Sequence, residues 1–476
     1  MTVLTSAGSR RAWPPTLESD AHGLRFDGCD VRELAERYGT PLWVFSRTTL
    51  VDNFARFRDA FRSRYPGTDV AFSMKAQNTL AVVRVLHSAG AKMDCTGENE
   101  LYLALQCGVP PEDIILNGNG KSDGALRAAA ELGVLQVNVD SLMEVERLER
   151  IADEVGRAVD CTVRIQLTYR ELLREDPSFE STLRVGEGKF GNNIANDDAD
   201  RVVERVIASD RLNFVGLHHH VGFSGYMGDY TPEREVMHHR ACVAEICSFA
   251  QQIEAKHGVR CERLDLGGGF RGGEWIYLAT PGDTSDGAFH PLPPLEAYVD
   301  AIVGQLEQAF PEHARPLIQF ETGGYQVANA AIFVGEVIEV KPQHGAPARD
   351  YVVFDGSMQM FTSKGTMRVA APVVIADRPD AVPDPGSARV TEIVGQTCVY
   401  DSVAENVRLP EVRPGDLLVL LNHGAYCDTS GTQMNAFGRP ATAVADRGRS
   451  ALVKRHETLA DVIGRNTIPP FLWTER

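Results

Sequence analysis

Short apolar segments alternate with amphipathic segments through the first two-thirds of the chain. Eight of the apolar segments predict strands: VAFSMK, AKMD, DIILNGN, VLQVNVD, CTVRIQ, FVGLHHH, RLDLGGG and PLIQFE. Amphipathic segments such as NTLAVVRVLHSAG and SLMEVERLERIADEVG separate most of them and predict helices. Strands that alternate with helices predict a parallel sheet, and eight such units predict a closed, TIM-like β/α barrel.

A second pattern begins after residue 325. Short β-branched runs such as AIFVGEVIEVK, DYVVFDG and DLLVLL are separated there by turn-forming residues, which predicts an all-β domain. Residues 1–20 have the pattern of a loose tail, and residues 21–45 predict a strand, a helix and a second strand. We therefore predict an N-terminal segment at 1–45 that joins the β-domain, a barrel at 46–325 and a C-terminal β-domain at 326–476.

Composition narrows the range of partners. The chain has 476 residues and a formal net charge of −17, which argues against binding to nucleic acid or to anionic membrane surfaces. No apolar run reaches the length of a membrane span, and the amino-terminal residues lack the apolar core of a secretory signal. We therefore expect a cytoplasmic protein. The nine cysteines form no CxxC pair and no metal-binding spacing, and no metal is expected.

Reactive side chains follow the predicted strands at their carboxyl ends, where barrel enzymes carry their active sites. Burial of Lys75 in a barrel mouth would make its free amine a nucleophile for a carbonyl, although a lysine can also simply close a strand at the surface. Gly267, Gly268 and Gly269 allow backbone N–H groups to approach a phosphate, or form a flexible turn. Glu321 can hold a protonated ring nitrogen, act as a general base or pair with a cation.

Three consecutive histidines end the sixth predicted strand. Neighbouring side chains of a strand point to opposite faces, and no obvious acidic or histidine partner completes a metal set with His218, His219 and His220. Stacking of an imidazole on a planar ring, or acid–base chemistry, fits better. An amine, a phosphate cradle, a ring-stacking group and a carboxylate for a ring nitrogen are together what pyridoxal 5'-phosphate (PLP) requires. The sequence therefore predicts a PLP enzyme in which Lys75 binds the cofactor.

The same segments resemble the motifs of a known family, the fold-type III PLP-dependent decarboxylases, and most closely its diaminopimelate decarboxylase-like branch. The resemblance runs from about residue 25 to residue 445 in collinear order, and it includes FSMKAQN, MDCTGENEL, LNGNGKS, VRIQL, KFG, GLHHHVG, LDLGGGF and ETGGYQVANA. It implies a barrel of the alanine racemase type, with the histidine of GLHHHVG stacked on the pyridine ring. The cofactor-binding residues that it implies in the barrel are Lys75, Asp94, Arg164, His220, Gly267, Gly268, Gly269 and Glu321.

The carboxyl-terminal half also resembles this family. FDGSM, GQTCVYDSV and HGAYC match three of its motifs in order. The resemblance implies that Asp355 contacts the substrate, that Cys398 returns a proton to the substrate Cα and that Tyr426 contacts PLP. It also implies a homodimer with shared active sites, in which Cys398 reaches the active site of the partner subunit.

Several positions depart from the family pattern. Gly324 replaces the arginine of the EPGR motif, which serves the cofactor phosphate or a substrate carboxylate. Val399 replaces a glutamate beside the cysteine, and Asp401, a second expected substrate contact, stands one position before the usual acidic residue. Phe223 replaces the serine of the histidine motif, with Ser224 one place on. These losses remove groups for a distal carboxylate, and we therefore expect an amino-acid decarboxylase with a substrate other than diaminopimelate.

Two alternative functions remain open from the sequence. A PLP-dependent amino-acid racemase or epimerase would need a base on each face of Cα and would keep the substrate carboxylate. A non-catalytic PLP-binding homologue would bind the cofactor without turnover. The altered phosphate and substrate motifs favour this last alternative, whereas the intact Lys75 and Cys398 oppose it.

Overall fold

The chain divides into two compact units. The computed structural model describes residues 13–181, 188–222, 230–280, 283–345, 348–360, 372–381, 389–399 and 401–473. One unit, here the barrel unit, contains residues 49–276 and 289–329, and the other, here the β unit, contains residues 1–48, 277–288 and 330–476. None of the helices in the described ranges combines the length and hydrophobicity that a bilayer crossing requires.

Parallel strands form the centre of the barrel unit. In the described part of the chain, eight strands close on themselves in sequence order, because the fifth pairs with the fourth and the eighth with the first. They are β1 (Thr68–Ser73), β2 (Lys92–Thr96), β3 (Ile114–Asn117), β4 (Gln136–Val139), β5 (Val159–Gln166), β6 (Leu212–His218), β7 (Arg263–Asp265) and β8 (Leu317–Thr322). The predicted β/α barrel is confirmed.

Helices connect the barrel strands, and serine and glycine residues set the ends of two of them. The helices in this part of the chain are Arg47–Arg64, Leu80–Ser88, Glu98–Gln106, Asp123–Leu132, Leu142–Val155, Arg170–Glu175, Asp198–Ile207, Pro232–His257, Leu295–Ala309 and Gly324–Val327. Ser122 and Ser141 accept backbone N–H groups at the starts of the fourth and fifth helices. Gly133 and Gly156 end the same helices in the left-handed conformation.

Two shorter strand pairings also occur. Asn192–Asn193 pairs in parallel with β5, beside the barrel. Trp275–Thr280 and Asp283–Pro291 form a two-stranded ribbon after β7.

Within the described residues of the β unit, strands form a three-stranded sheet and a larger sheet, in addition to the ribbon Trp275–Thr280 and Asp283–Pro291, whose residues 277–288 belong to this unit. Leu17–Asp20, Gly23–Phe26 and Cys29–Asp30 form a three-stranded antiparallel sheet, followed by the helix Val31–Tyr38. The larger sheet has the strand order Ser402–Val407, Val390–Val394, Arg349–Phe354, Ala331–Gln343, Leu42–Ser46, Ala441–Asp446 and Arg449–Lys454. Leu417–Leu421 pairs with Ala331–Gln343 and with Val373–Ile375. A short helix, Leu459–Ile463, follows the last strand.

The amino-terminal segment contributes a central strand to this larger sheet. Leu42–Ser46 lies between Ala331–Gln343, which is antiparallel to it, and Ala441–Asp446, which is parallel to it. Leu42 and Val44 are fully buried with Ile332 and Val334. The predicted loose tail is wrong for its last residues, because Leu17–Asp20 pairs with Gly23–Phe26.

Candidate active site

Lys75 lies immediately beyond the end of β1. It is the middle residue of a single 3-10 turn, Met74–Ala76, and its side chain is 38% exposed. Its Nζ atom lies 3.8 Å from Oδ2 of Asp94 on the neighbouring strand β2. The structure therefore places the predicted amine beside a carboxylate at the carboxyl end of the barrel.

Asp94 is buried at this end of β2. The Ser73 hydroxyl donates a hydrogen bond to its Oδ2 atom at 2.5 Å. Burial raises the pKa of Asp94, the negative charge of Glu321 raises it further, and the Lys75 cation partly offsets both effects. Two carboxylates and one amine are thus electrostatically coupled in the barrel mouth.

Glu321 lies near the end of β8 and is 1% exposed. Its Oε1 atom accepts hydrogen bonds from the side-chain amides of Asn117 at 2.7 Å and Asn138 at 3.1 Å. Its Oε2 atom lies 3.2 Å from Nε2 of His218. Burial raises the pKa of Glu321, whereas the Lys75 cation opposes that rise. A buried carboxylate with these donors is held in one orientation and remains available to a cationic partner.

His220 follows β6 and is half-buried. Its Nδ1 atom accepts a hydrogen bond from the backbone N–H of Gly268 at 3.1 Å. Burial lowers the pKa of His220 well below its ordinary value, and the Lys75 cation lowers it further. The imidazole is therefore neutral at physiological pH and is fixed by the glycine segment that follows β7.

The three glycines after β7 leave no room for side chains. A Cβ atom on Gly268 would lie 2.6 Å from the carbonyl oxygen of Glu321, and one on Gly269 would lie 2.3 Å from the carbonyl oxygen of Gly222. Gly267 and Gly269 also have positive φ angles, 65° and 104°. The glycine backbone is thus packed closely against the backbone of Glu321 and the ring of His220, and a segment free of side chains is the kind that can approach a phosphate.

Arg164 projects from β5 over an aromatic ring. Its guanidinium carbon lies 4.4 Å from the ring centroid of Phe190, which belongs to the KFG segment. The Gln166 side chain donates to the backbone carbonyl of Gly188 at 3.1 Å and also to that of Phe190, so β5 holds this segment in place. Burial lowers the pKa of His218 well below its ordinary value, and the Arg164 charge lowers it further. Burial raises the pKa of Glu321, and the charges of Lys75 and then Arg164 oppose that rise.

His218 and Asp265, to which the sequence analysis gave no role in cofactor binding, lie close to Glu321. His218, Asp265 and Glu321 bring their ligand atoms within 4.8 Å of one another and are all buried. Asp265 accepts the Gln319 amide at 2.6 Å and the Gln136 amide at 3.3 Å, and burial raises its pKa well above its ordinary value. Their only signal in the sequence is a polar residue inside a strand-like run. The expectation that no metal binds here stays a prediction.

Cys398 lies in the β unit, in the turn between Val390–Val394 and Ser402–Val407. It is exposed, whereas the other eight cysteines of the chain are buried. The Cys398 backbone N–H donates to Oδ1 of Asn435 at 3.0 Å, and Nδ2 of Asn435 donates to its Sγ atom at 3.2 Å. The predicted proton donor is therefore at the surface of the described chain and is held by an amide side chain.

Asp401 is buried in the same turn and accepts many hydrogen bonds. Its carboxylate accepts the Ser357 hydroxyl at 2.9 Å, the Met358 N–H at 2.6 Å, and the Thr397 N–H and hydroxyl at 3.0 Å and 2.6 Å. Five donor contacts to two oxygens leave little capacity for a substrate group. This geometry favours a supporting role for Asp401.

Asp355 and Tyr426 complete the predicted set in the β unit. Asp355 accepts the backbone N–H of Glu336 at 2.8 Å, and burial raises its pKa to about 6. Tyr426 is half-buried, with a positive φ angle of 56°, in the segment after Leu417–Leu421. Phe223 and Ser224 lie outside the described residues.

The barrel residues fit PLP by their geometry and by their chemistry. The amine of Lys75 can bind the aldehyde, and the glycine backbone after β7 carries no side chain that would keep a phosphate away, while the N–H groups of Gly267 and Gly268 donate to Asp265 and His220. The neutral imidazole of His220 can stack on the ring, and the buried carboxylate of Glu321 can hold the pyridine nitrogen protonated. The site defined by this barrel is that of a PLP enzyme.

Comparison with known proteins gives the family. Residues 48–328 match the model described as "Pyridoxal-dependent decarboxylase, pyridoxal binding domain". The chain belongs to the pyridoxal-dependent decarboxylase family. It is a PLP-dependent amino-acid decarboxylase, and the racemase alternative is not favoured.

The relatives match along almost their entire length. The chain is 32% identical to diaminopimelate decarboxylase of Mycobacterium tuberculosis, over 95% of this chain and 96% of the relative. It is 29% identical to the enzyme of the same name from Methanothermobacter thermautotrophicus, over 96% and 98% of the two chains. A crystal structure of diaminopimelate decarboxylase from M. jannaschii in complex with L-lysine is 25% identical, covers 97% and 99%, and superposes with a TM-score of 0.84.

Proposed function

We propose that this decarboxylase acts on an amino acid that lacks the distal carboxylate of diaminopimelate. Gly324 carries the proposal, because it leaves no cation at the position where the related motif has an arginine. The space beside it is open, since the nearest atom to an added Cβ would be the Phe270 carbonyl oxygen at 3.7 Å. An uncharged or cationic distal end of the substrate would need no such arginine.

The roles of the barrel residues follow from their chemistry. Bound PLP supplies the electron withdrawal that lets the substrate carboxylate leave as CO2. Lys75 would hold the cofactor through its amine, and Asp94 would keep that amine in place. Glu321 would hold a proton at the pyridine nitrogen, since its pair of amide donors and His218 fix its carboxylate.

Arg164 and the glycines would complete the cofactor site in this proposal. The Arg164 cation, stacked on Phe190, would stabilise the buried carboxylates beneath the ring, since it opposes the rise in the pKa of Glu321. The backbone of Gly267–Gly269 would hold the phosphate. We assign PLP binding to the segment 46–325.

The remaining proposals concern the β unit and the assembly. Cys398 would return a proton to Cα, Tyr426 would contact PLP and Asp355 would contact the substrate, whereas Asp401 would position the cysteine turn. We propose that the segments 1–45 and 326–476 form the domain that supplies them. We also propose a cytoplasmic homodimer in which Cys398 serves the partner subunit, because a lone chain leaves that thiol exposed. Light scattering of the purified holoenzyme would give the mass that tests the dimer.

The substrate proposal is tested with a panel of L- and D-amino acids, diaminopimelate included, in heavy water. Mass spectrometry should detect loss of CO2 with one deuterium gained at Cα for a substrate without a distal carboxylate. Turnover of diaminopimelate above every other panel member would overturn the proposal. The matched variant is Gly324→Arg, for which we expect a gain in diaminopimelate turnover, because the added cation enters open space.

A further inference from the structure

Asn435 makes two hydrogen bonds to a single residue, the proposed proton donor. Its Oδ1 atom accepts the Cys398 backbone N–H at 3.0 Å, and its Nδ2 atom donates to the Cys398 Sγ atom at 3.2 Å. The two hydrogen bonds form a closed ring between the Asn435 side-chain amide and Cys398. A sulfur that accepts this N–H must direct its own S–H bond away from Asn435.

The backbone of Asn435 is held in an uncommon conformation. Its φ and ψ angles are 54° and 23°, in the left-handed region that asparagine tolerates better than most residues. Glu457 fixes the segment on both sides, because its Oε2 atom accepts the Gln433 amide at 2.7 Å and the Arg439 N–H at 2.9 Å. The amide is thus presented to Cys398 by a segment that is itself anchored.

The cysteine turn is anchored from its other side by Asp401. This carboxylate binds Thr397, the residue immediately before Cys398, through both the N–H and the hydroxyl. The same carboxylate accepts the Ser357 hydroxyl, and the Gly395 N–H donates to the Asp401 backbone carbonyl at 2.9 Å. The position of Sγ is therefore determined by Asp401 through the backbone and by Asn435 through the sulfur.

We propose that Asn435 is a positioning residue that aims the Cys398 thiol and stabilises the sulfur after it gives up its proton. The inference rests on the proposed role of Cys398. In that step the S–H bond breaks, a C–H bond forms at Cα, and the electron pair of the S–H bond stays on sulfur. The N–H group of Asn435 then faces a thiolate, and a proton from water restores the thiol.

The test measures the thiol itself as well as turnover. Because the other eight cysteines are buried, a small alkylating reagent such as iodoacetamide reports on Cys398. The variant Asn435→Gly removes the amide and keeps the left-handed backbone accessible. The matched control is Ala436→Gly, which changes the adjacent left-handed residue, with φ of 62°, and leaves the amide in place.

We expect the pH at which Cys398 alkylation reaches half its maximal rate to rise by about one unit in Asn435→Gly, because one hydrogen bond to the thiolate is lost. The control should behave as the native enzyme. The value of kcat should fall about tenfold, with KM nearly unchanged and with its pH profile displaced in the same direction. Asn435→Asp, which keeps the acceptor for the Cys398 N–H but opposes a thiolate, should displace the alkylation profile further.

Two results distinguish the inference from the proposal on which it rests. An alkylation profile that is the same in Asn435→Gly, Asn435→Asp and the native enzyme would overturn the role of Asn435. Full turnover by Cys398→Ala would overturn the role of Cys398 as proton donor, whatever the alkylation profile of the Asn435 variants. Equal losses in Asn435→Gly and Ala436→Gly would show that only loop rigidity matters, and would also overturn the inference.

Discussion

His238 is a buried neutral imidazole whose replacement should change how stability depends on pH. It lies on the helix Pro232–His257, is 2% exposed, and packs against the rings of Tyr169 and Phe179, with centroids 5.8 Å and 5.9 Å away. Neither of its ring nitrogens has a hydrogen-bond partner among the described residues. Burial lowers its pKa to about 4. We predict that His238→Phe is less sensitive to acid than the native protein.

The sign follows from proton binding in the two states. The unfolded chain takes up a proton on His238 at its ordinary pKa of 6.5, whereas the folded chain does so only at about 4. The contribution of neutral, buried His238 to the unfolding free energy is therefore complete above about pH 6.5 and is lost as the pH falls through the folded pKa. At about pH 5, protonation of His238 in the unfolded state lowers the unfolding free energy of the native protein by about 2 kcal/mol. His238→Phe should not lose this amount.

The assay is unfolding by urea at about pH 8 and about pH 5. Tryptophan fluorescence of the holoenzyme would give the difference in unfolding free energy between the two conditions, for the native protein and for His238→Phe. The control variant is His313→Gln, which changes an exposed imidazole and should leave the pH dependence unaltered. An identical pH dependence in native protein and His238→Phe would refute the reasoning, because the buried imidazole would then not be a source of acid sensitivity.

Three further perturbations test the barrel unit. Gly268→Ala places a Cβ atom 2.6 Å from the Glu321 carbonyl oxygen and should weaken PLP binding to the apoenzyme by about tenfold or more. The control Gly304→Ala adds a Cβ atom in open space and should leave PLP affinity unchanged. Equal PLP affinities of the two variants would contradict the role of the Gly267–Gly269 backbone in phosphate binding. Glu321→Gln should retain the cofactor absorbance yet lower kcat by about 100-fold, and an unchanged kcat would exclude Glu321 as the ring-nitrogen partner. In the native protein the Lys121 amine lies 2.6 Å from the buried Glu144 carboxylate, and Lys121→Met leaves that carboxylate without its cation. The unfolding free energy measured in urea should fall by about 3 to 5 kcal/mol. A change near zero would contradict the pairing.

The ends of the barrel strands were predictable because two sequence signals coincide there. An apolar run identifies the strand, and a reactive side chain such as Lys75 or Glu321 follows at its end. Parallel strands in a closed barrel bring all of these ends to one rim, so adjacency needs no further information. The structure places Lys75, Asp94, His220 and Glu321 within this one mouth, connected by hydrogen bonds or by charge.

The contacts below that rim could not be predicted in the same way. Asp265 and His218 lie opposite each other on the paired strands β7 and β6, and β7 pairs with β8, which carries Glu321, so their proximity depends on a strand register that the sequence does not give. The five contacts that Asp401 accepts likewise depend on two turns that meet in the β unit. The family motif predicted a substrate contact for Asp401 from its position in the chain alone. That position gives no information about the hydrogen-bond donors that already contact its carboxylate.

The position of Leu42–Ser46 has a consequence for biosynthesis. This strand is translated before the barrel, but it pairs on one side with Ala331–Gln343 and on the other with Ala441–Asp446. It must therefore wait, as an unpaired apolar segment, while the whole barrel is translated and free to fold. We expect nascent chains stalled before Ala331–Gln343 has emerged to expose the LWVF segment without either neighbouring strand, and a chaperone that recognises apolar segments should bind there during synthesis.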